Sequence, residues 1–325
     1  MTSDASFYPL AARLQALPHV SVERKVPLSR LTRFAVGGPA EILAATRDPE
    51  SFVRMRRLTD QSGMPWMVLG DGTNVIAADE GYRGVVLRYT GSRISLAGST
   101  VTVEVGASLQ SMVDFTIRRG LAGIHTMTGI PGGVGAAIYG NAGAYGNSIS
   151  GCVEKVRCFD GAAIRDFDRA ACHFAYRESV FKVRKEWTIL SAELRFEPGN
   201  PVEMAQQAAS IREIRDSKYP PSMRCAGSIF KNLLFAELPD AAAARVPASV
   251  VREGKVPSAW FLEQVGAKGM RVGGIQVAAY HANLIYNDGG GTARDLRAVA
   301  AELKRRVREE FEFELEEEVQ YVGFG

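Results

Sequence analysis

The chain has 325 residues, of which 46% are hydrophobic and 23% charged, with a mean hydropathy near zero and a formal net charge of +3. That length leaves room for two or three domains and a sizeable core; that charge is too small to argue for nucleic acid as the partner, although it would not repel an anionic ligand. The start, "MTSDASFYPLAARLQALPHV", has no apolar core behind a basic stretch, and no apolar run approaches the roughly 20 residues of a membrane span. The expectation is a cytoplasmic protein with neither a membrane nor a nucleic acid among its partners. Cys152, Cys158, Cys172 and Cys225 form no CxxC pair and no ligand-spaced Cys/His cluster, which reads as free thiols in a reducing compartment, with no metal site.

Taken in chain order, "LTRFAVGGPAEIL" (31–43) is a small-residue turn before a strand-like run. "WMVLG" (66–70) reads as a short buried strand entering the turn "DGTN", and "GVVLRY" (84–89) and "TVTVEVGA" (100–107) read as further strands from their β-branched content and alternation. "LQSMVDFTIRRG" (109–120) carries Leu109, Met112, Val113, Phe115 and Ile117 at roughly helical spacing and stops on a glycine. The stretch "HTMTGIPGGVGAAIYGNAGAYG" (125–146) then places seven glycines in 22 positions. "EKVRCFDGAAIRDFD" predicts a hairpin turning at Asp160–Gly161. "WTILSAELRFEPGNP" predicts a strand followed by a Pro/Gly break at 198–201, the main expected domain boundary. A helix over 202–219 and the loop "PPSMRCAGSIFKN" follow. The last helix, 292–311, aligns Leu296, Val299, Ala300, Leu303, Val307 and Phe311 on one face, and "FELEEEVQYVGF" reads as a closing strand with a cluster of acids.

Two loops share a physical signature. In "VLGDGTNVI", Gly70 and Gly72 can take positive φ, while Asp71, Thr73 and Asn74 can cap exposed N–H groups, leaving backbone donors for a pyrophosphate; a plain strand-to-helix turn is the alternative. In "TGIPGGVGAAIYGNAGAYG", Pro131 stiffens a loop from which Gly132, Gly133 and Gly135 remove side chains, so that backbone could lie on a flat ring or a diphosphate; close packing of two elements is the alternative. Neither loop is GxGxxG or GxxxxGK[ST], which excludes the dinucleotide fingerprint and the P-loop. Three glycine-rich turns in one half of the chain suggest one extended ligand, and a flavin dinucleotide is about the right size.

The segments "TRFAVGGPA", "LGDGTNVI", "GIPGGVGAAIYGNAGAYG", "FAYRESVFK", "SKYPPSMRCAGSIFKN", "GGIQVAAYHANLIYN" and "LEEEVQYVG", in this order from about 28 to 323, resemble the UDP-N-acetylenolpyruvoylglucosamine reductase family. The resemblance implies an α+β fold: an FAD-binding module of the vanillyl-alcohol-oxidase (PCMH) type in two subdomains, 1–89 and 90–199, a C-terminal α+β substrate-binding domain over 200–311, and a C-terminal strand, 312–325, returning toward the active site. It implies FAD as cofactor, NADPH as co-substrate and a UDP-linked enolpyruvyl amino sugar as the small-molecule partner. The flavin would lie against Gly37, Gly70, Asp71, Gly72, Thr73, Asn74, Thr128, Gly129, Ile130, Pro131, Gly132, Gly133, Gly135 and Ala136. The reduced flavin would give hydride to the β-carbon of the enolpyruvyl ether. Arg177 of "YRES" and Glu318 of "LEEEV" would stabilise the enolate, and Ser228 of "AGSIFKN" would protonate the α-carbon. Tyr145, Lys218, Asn232 and His281 would contact the substrate, Lys218 through the diphosphate.

Each of these residues also has an ordinary structural reading. Arg177 could pair with Glu178 on the surface, Ser228 could be a loop residue, and Glu318 could belong to a solvated acidic face. The sequence departs from the family at Asp71 and Thr73, where Gly and Ser are frequent, so that Asp71 puts a negative charge near a diphosphate. It departs again at Glu317, where Pro is common. Two further readings stay open at this level. One is an alcohol or sugar oxidase on the same module, with His125 or Cys152 as a flavin tether; the other is a non-catalytic flavin or nucleotide binder.

Overall fold

Asp48-Pro49-Glu50-Ser51 starts a helix by local chemistry alone. The Asp48 carboxylate accepts from the Ser51 N–H at 2.7 Å, proline occupies the first helical position, and Gly63, at φ 67°, ends the helix Pro49–Ser62 in the left-handed conformation. The computed structural model describes residues 7–324. Within it the chain forms two units. The first comprises the segment up to Val26, Ala40–Asp71 and Arg83–Ser217; the second comprises Pro27–Pro39, Gly72–Tyr82 and the chain from Lys218 onward. The units therefore follow a different division from the linear segments 1–89, 90–199, 200–311 and 312–325. The Pro/Gly break at 198–201 separates a strand from a helix, while the unit division falls at Ser217/Lys218.

The two larger sheets of the first unit have four and five strands. One has the strand order Val20–Pro27, Pro39–Thr46, Tyr82–Tyr89, Trp66–Val68, the last two parallel in the register Trp66↔Val85. The helices Phe7–Gln15 and Pro49–Ser62 supply Leu10, Leu14, Phe52 and Met55 to a core with Ile42, Val85 and Leu87. The second sheet is antiparallel and five-stranded, ordered Ile164–Asp168, Val153–Phe159, Thr188–Arg195, Thr100–Glu104, Ile94–Ala97. Its hairpin turns at Asp160–Gly161, where the Asp160 carboxylate accepts from the N–H groups of Ala162 and Ala163. The helix Leu109–Arg118 buries Leu109, Met112, Val113 and Thr116 against this sheet. Phe115 and Ile117, expected on the same face, pack only at its margin.

In the second unit the antiparallel sheet Arg224–Ser228, Leu284–Asn287, Ile275–Val277, Arg271–Val272 shares one core with the helix Ala293–Phe311. That helix buries the six apolar residues its spacing predicts. Its start is doubly capped. Thr292 and Asp295 form a reciprocal capping box, and Asp79 accepts from the N–H groups of Ala293 and Arg294 at 2.8 and 3.0 Å. The closing strand is shorter than the sequence suggests: only Gln320–Val322 is regular, paired in parallel with Val75–Ala77. Among the described residues, no helix is long and apolar enough to cross a membrane and no group of His, Cys, Asp and Glu could hold a metal ion. All four cysteines are free and buried.

Candidate active site

Among the described residues of the first unit, the glycine stretch is clamped from one side. Val134 N–H donates to Ala107 O, Gly135 N–H to Val105 O and Leu109 N–H to Gly132 O, at 2.8 to 3.0 Å. A Cβ on Gly135 would lie 2.8 Å from Val105 Cβ, and one on Gly133 would lie 3.1 Å from Val105 O. Close packing alone thus accounts for both glycines. Gln110, which the sequence reading passed over, fixes the turn before them: its Oε1 accepts from Gly129 N–H at 2.8 Å and from Thr128 Oγ1 at 3.2 Å. Gly70 faces open space, and its neighbour Asp71 lies 3.5 Å from Arg88 Nη2.

The "YRES" turn is tied to the same stretch. Asn141 Nδ2 donates to Ala175 O at 2.8 Å and Ser179 Oγ to Tyr139 O at 2.7 Å. Arg177 sits at φ 59°, a conformation that costs energy outside glycine, and both its terminal nitrogens lie 3.4 Å from Gly143 O. Gly143 opens the small hairpin Gly143–Ala144/Asn147–Ser148, whose turn carries Tyr145, half-exposed and at φ 52°. Arg177 and Tyr145 therefore share one corner. Glu178 is ion-paired with Lys182 at 2.8 Å, and Lys182 Nζ also donates to Arg177 O at 2.9 Å.

The second unit brings together Lys218, Ser228, His281 and Glu318. Ser228 Oγ and the Tyr219 hydroxyl lie 3.3 Å apart. The strand beyond Ser228 runs antiparallel to the acidic segment: Glu318 N–H donates to Ile229 O at 2.7 Å and Lys231 N–H to Glu316 O at 2.9 Å. Ile229 and Phe230, which follow Ser228, are therefore paired with Glu318 and Glu317. The buried Asn283 locks this pairing, accepting from Phe230 N–H at 2.9 Å and donating to Phe230 O at 2.8 Å and Ser258 Oγ at 2.7 Å. In the acidic cluster, Glu316 pairs with Lys231, and Glu317 accepts from Tyr321 and lies 3.4 Å from Lys304.

Lys218 Nζ stands 5.2 Å from the Tyr219 ring centroid, and Lys218 O accepts from the Tyr280 hydroxyl. Burial first, and then the charge of Lys218, pushes His281 down to about 4. His281 Nδ1 accepts from Asn283 N–H at 3.1 Å, which leaves the ring proton on Nε2 as a neutral donor. Asn232 Oδ1 accepts from Ser258 N–H at 3.4 Å.

Other expected cofactor residues of the second unit have work inside the fold. Asn74 Nδ2 donates to Glu318 O at 3.0 Å, and Asn74 O accepts from Gln320 N–H at 2.9 Å. A Cβ on Gly37 would meet Ala77 Cβ at 2.5 Å, and one on Gly72 would meet Leu31 O at 2.0 Å, so close packing alone demands glycine at both. Cys152 is a poor flavin tether: it is buried, and burial pushes its thiol up to about 11, away from the thiolate a covalent bond needs. His125 Nε2 is engaged with Gln207 Oε1 at 2.9 Å. A groove of about 790 Å³ in the first unit, lined in part by Gly123, Cys152, Arg169 and Arg195, contains none of the expected cofactor or substrate residues.

Residues 40–163 match the profile of an FAD binding domain, and residues 219–322 match that of the UDP-N-acetylenolpyruvoylglucosamine reductase C-terminal domain. The chain is 58% identical over 311 residues to a UDP-N-acetylenolpyruvoylglucosamine reductase of Solibacter usitatus, covering 96% of this chain and all of that protein. The chain belongs to the UDP-N-acetylenolpyruvoylglucosamine reductase family. A Bacillus subtilis member is 31% identical over 91% of this chain and 92% of its own length. The crystal structure of the reductase from Thermus caldophilus superposes with a TM-score of 0.73 at 28% identity, covering 93% of this chain and 99% of that one. The chain is thus an FAD-dependent oxidoreductase with a PCMH-type FAD-binding domain and the reductase family's own C-terminal domain, which sets it apart from alcohol and sugar oxidases on the same module. The residues present fit FAD: the open face at Gly70 and a buried Arg88 Nε with no hydrogen-bond partner among the described residues suit an extended anionic ligand.

Proposed function

We propose that this protein reduces UDP-N-acetylglucosamine enolpyruvate to UDP-N-acetylmuramate in the cytoplasm, with NADPH as reductant, as a step in peptidoglycan precursor synthesis. Bound FAD supplies hydride chemistry, from NADPH to the enolpyruvyl β-carbon. The chain's own residues handle charge and proton. Arg177 offers a permanently charged fork to the substrate carboxylate, into which negative charge spreads. Glu318 gives the developing enolate a second polar contact. Ser228 delivers the proton to the α-carbon, and the Tyr219 hydroxyl beside it orients that weakly acidic group. Lys218 takes the diphosphate, while Tyr145, Asn232 and the neutral His281 hold the sugar nucleotide.

The observation that supports this reading most is the pairing of the stretch just after Ser228 with the segment that carries Glu318, held by the Glu318–Ile229 hydrogen bond, in a chain 58% identical to a named reductase. Ser228→Ala tests it under anaerobic conditions. Bleaching of the flavin by NADPH should remain near wild type, and reoxidation by the enolpyruvyl substrate should slow about 10²- to 10⁴-fold. Reoxidation at the wild-type rate would remove Ser228 from the mechanism.

A further inference from the structure

Asp71 poses a physical problem, since it is a carboxylate on a turn expected to face a diphosphate. What stands beside it is Arg88, on the strand Tyr82–Tyr89, with Nη2 3.5 Å from Asp71 Oδ1. The strand is set against the turn by Leu69 N–H donating to Leu87 O at 3.0 Å. The other carboxylate oxygen, Oδ2, lies 3.8 Å from where a Cβ on Gly133 would stand. The pair therefore occupies the ground between the two glycine turns of the first unit, 70–71 and 132–133.

As a stabilising ion pair this one is weak. It is long and single-point, and Asp71 is 47% exposed. Arg88 is only 25% exposed, yet its Nε is buried and finds no hydrogen-bond partner among the described residues. Burying a guanidinium N–H without a partner costs free energy that a 3.5 Å contact does not offset. The cost disappears when an oxyanion accepts from Nε and Nη together, and the phosphates of a dinucleotide present that pair of oxygens.

We propose that Arg88 binds the FAD diphosphate through its Nε/Nη edge, and that Asp71 is a positioning residue that orients the guanidinium. Asp71 thereby serves the anion indirectly instead of repelling it. This rests on the chain's being an FAD protein and adds the residue that selects the dinucleotide over the bare isoalloxazine.

The test titrates flavin-free protein with FAD and, separately, with riboflavin, which lacks phosphate, following quenching of flavin fluorescence. Arg88→Gln should weaken FAD about tenfold or more and leave riboflavin within about twofold. Arg88→Lys keeps the charge and loses the fork, so it should still weaken FAD by about threefold or more with riboflavin unchanged; it carries the test alone if Arg88→Gln does not fold. Unchanged FAD affinity in either variant, or equal loss for both flavins, overturns the proposal. If the wild-type protein binds riboflavin and FAD equally, the proposal also falls while flavin binding stands; if it takes up no FAD, the cofactor reading falls with it.

Discussion

His281 offers a quantitative check on the second unit. Its folded pKa, about 4, lies below the ordinary value near 6.5, because burial and then the Lys218 charge disfavour the protonated ring, with Glu263 opposing weakly. The unfolded chain therefore takes up a proton at His281 below pH 6.5 that the folded chain refuses until about pH 4. Stability from this residue is fully present above pH 6.5 and drains away as the pH falls through that window. Between pH 7.5 and 4.5 the loss comes to roughly 2–3 kcal/mol. Carboxylates also titrate there, so the measurement is a difference. Urea unfolding of the wild type and of His281→Gln, each at both pH values, should show the wild type losing about 2 kcal/mol more than the variant. Equal losses in the two proteins would refute the reasoning and place His281 in a solvated setting.

Asp79→Ala removes two hydrogen bonds from the start of the helix Ala293–Phe311; it should cost about 1–2 kcal/mol in urea unfolding, with little change in flavin affinity. Asn283→Ala strands the buried Phe230 N–H and loosens the pairing of 229–230 with 317–318, next to Ser228, so a loss of about 3 kcal/mol should accompany slower substrate reoxidation; a loss below about 1 kcal/mol would show that the locking role is misjudged. Arg177→Lys keeps the charge without the fork, and stopped-flow measurements should find substrate-driven reoxidation at least about tenfold slower with flavin reduction by NADPH retained.

The local elements were legible because their causes are local. The six-residue apolar stripe of the last helix and the Asp160–Gly161 turn need no information from elsewhere in the chain. What escaped is long-range. Segments 27–39 and 72–82 join the unit built by the C-terminal third, through pairings such as Val75–Ala77 with Gln320–Val322 that no periodicity announces. The acidic run illustrates the same limit: three carboxylates in a row look like a solvated face, whereas Lys231, Lys304 and Tyr321, all distant or out of register, engage Glu316 and Glu317. The residues expected to carry chemistry came from family resemblance, because a lone Arg, Ser or Glu has no distinguishing spacing. Gln110, Arg88 and Tyr219 went unassigned for a related reason. A glutamine on a helix, an arginine on a strand and a tyrosine before a proline are common, and only their partners single them out.

The most direct measurement is an anaerobic visible spectrum of the purified protein, taken first with NADPH and then with UDP-N-acetylglucosamine enolpyruvate. A bound flavin should bleach with the first and recover fully with the second. Bleaching without recovery would leave the FAD-binding domain in place and contradict the assignment of the substrate.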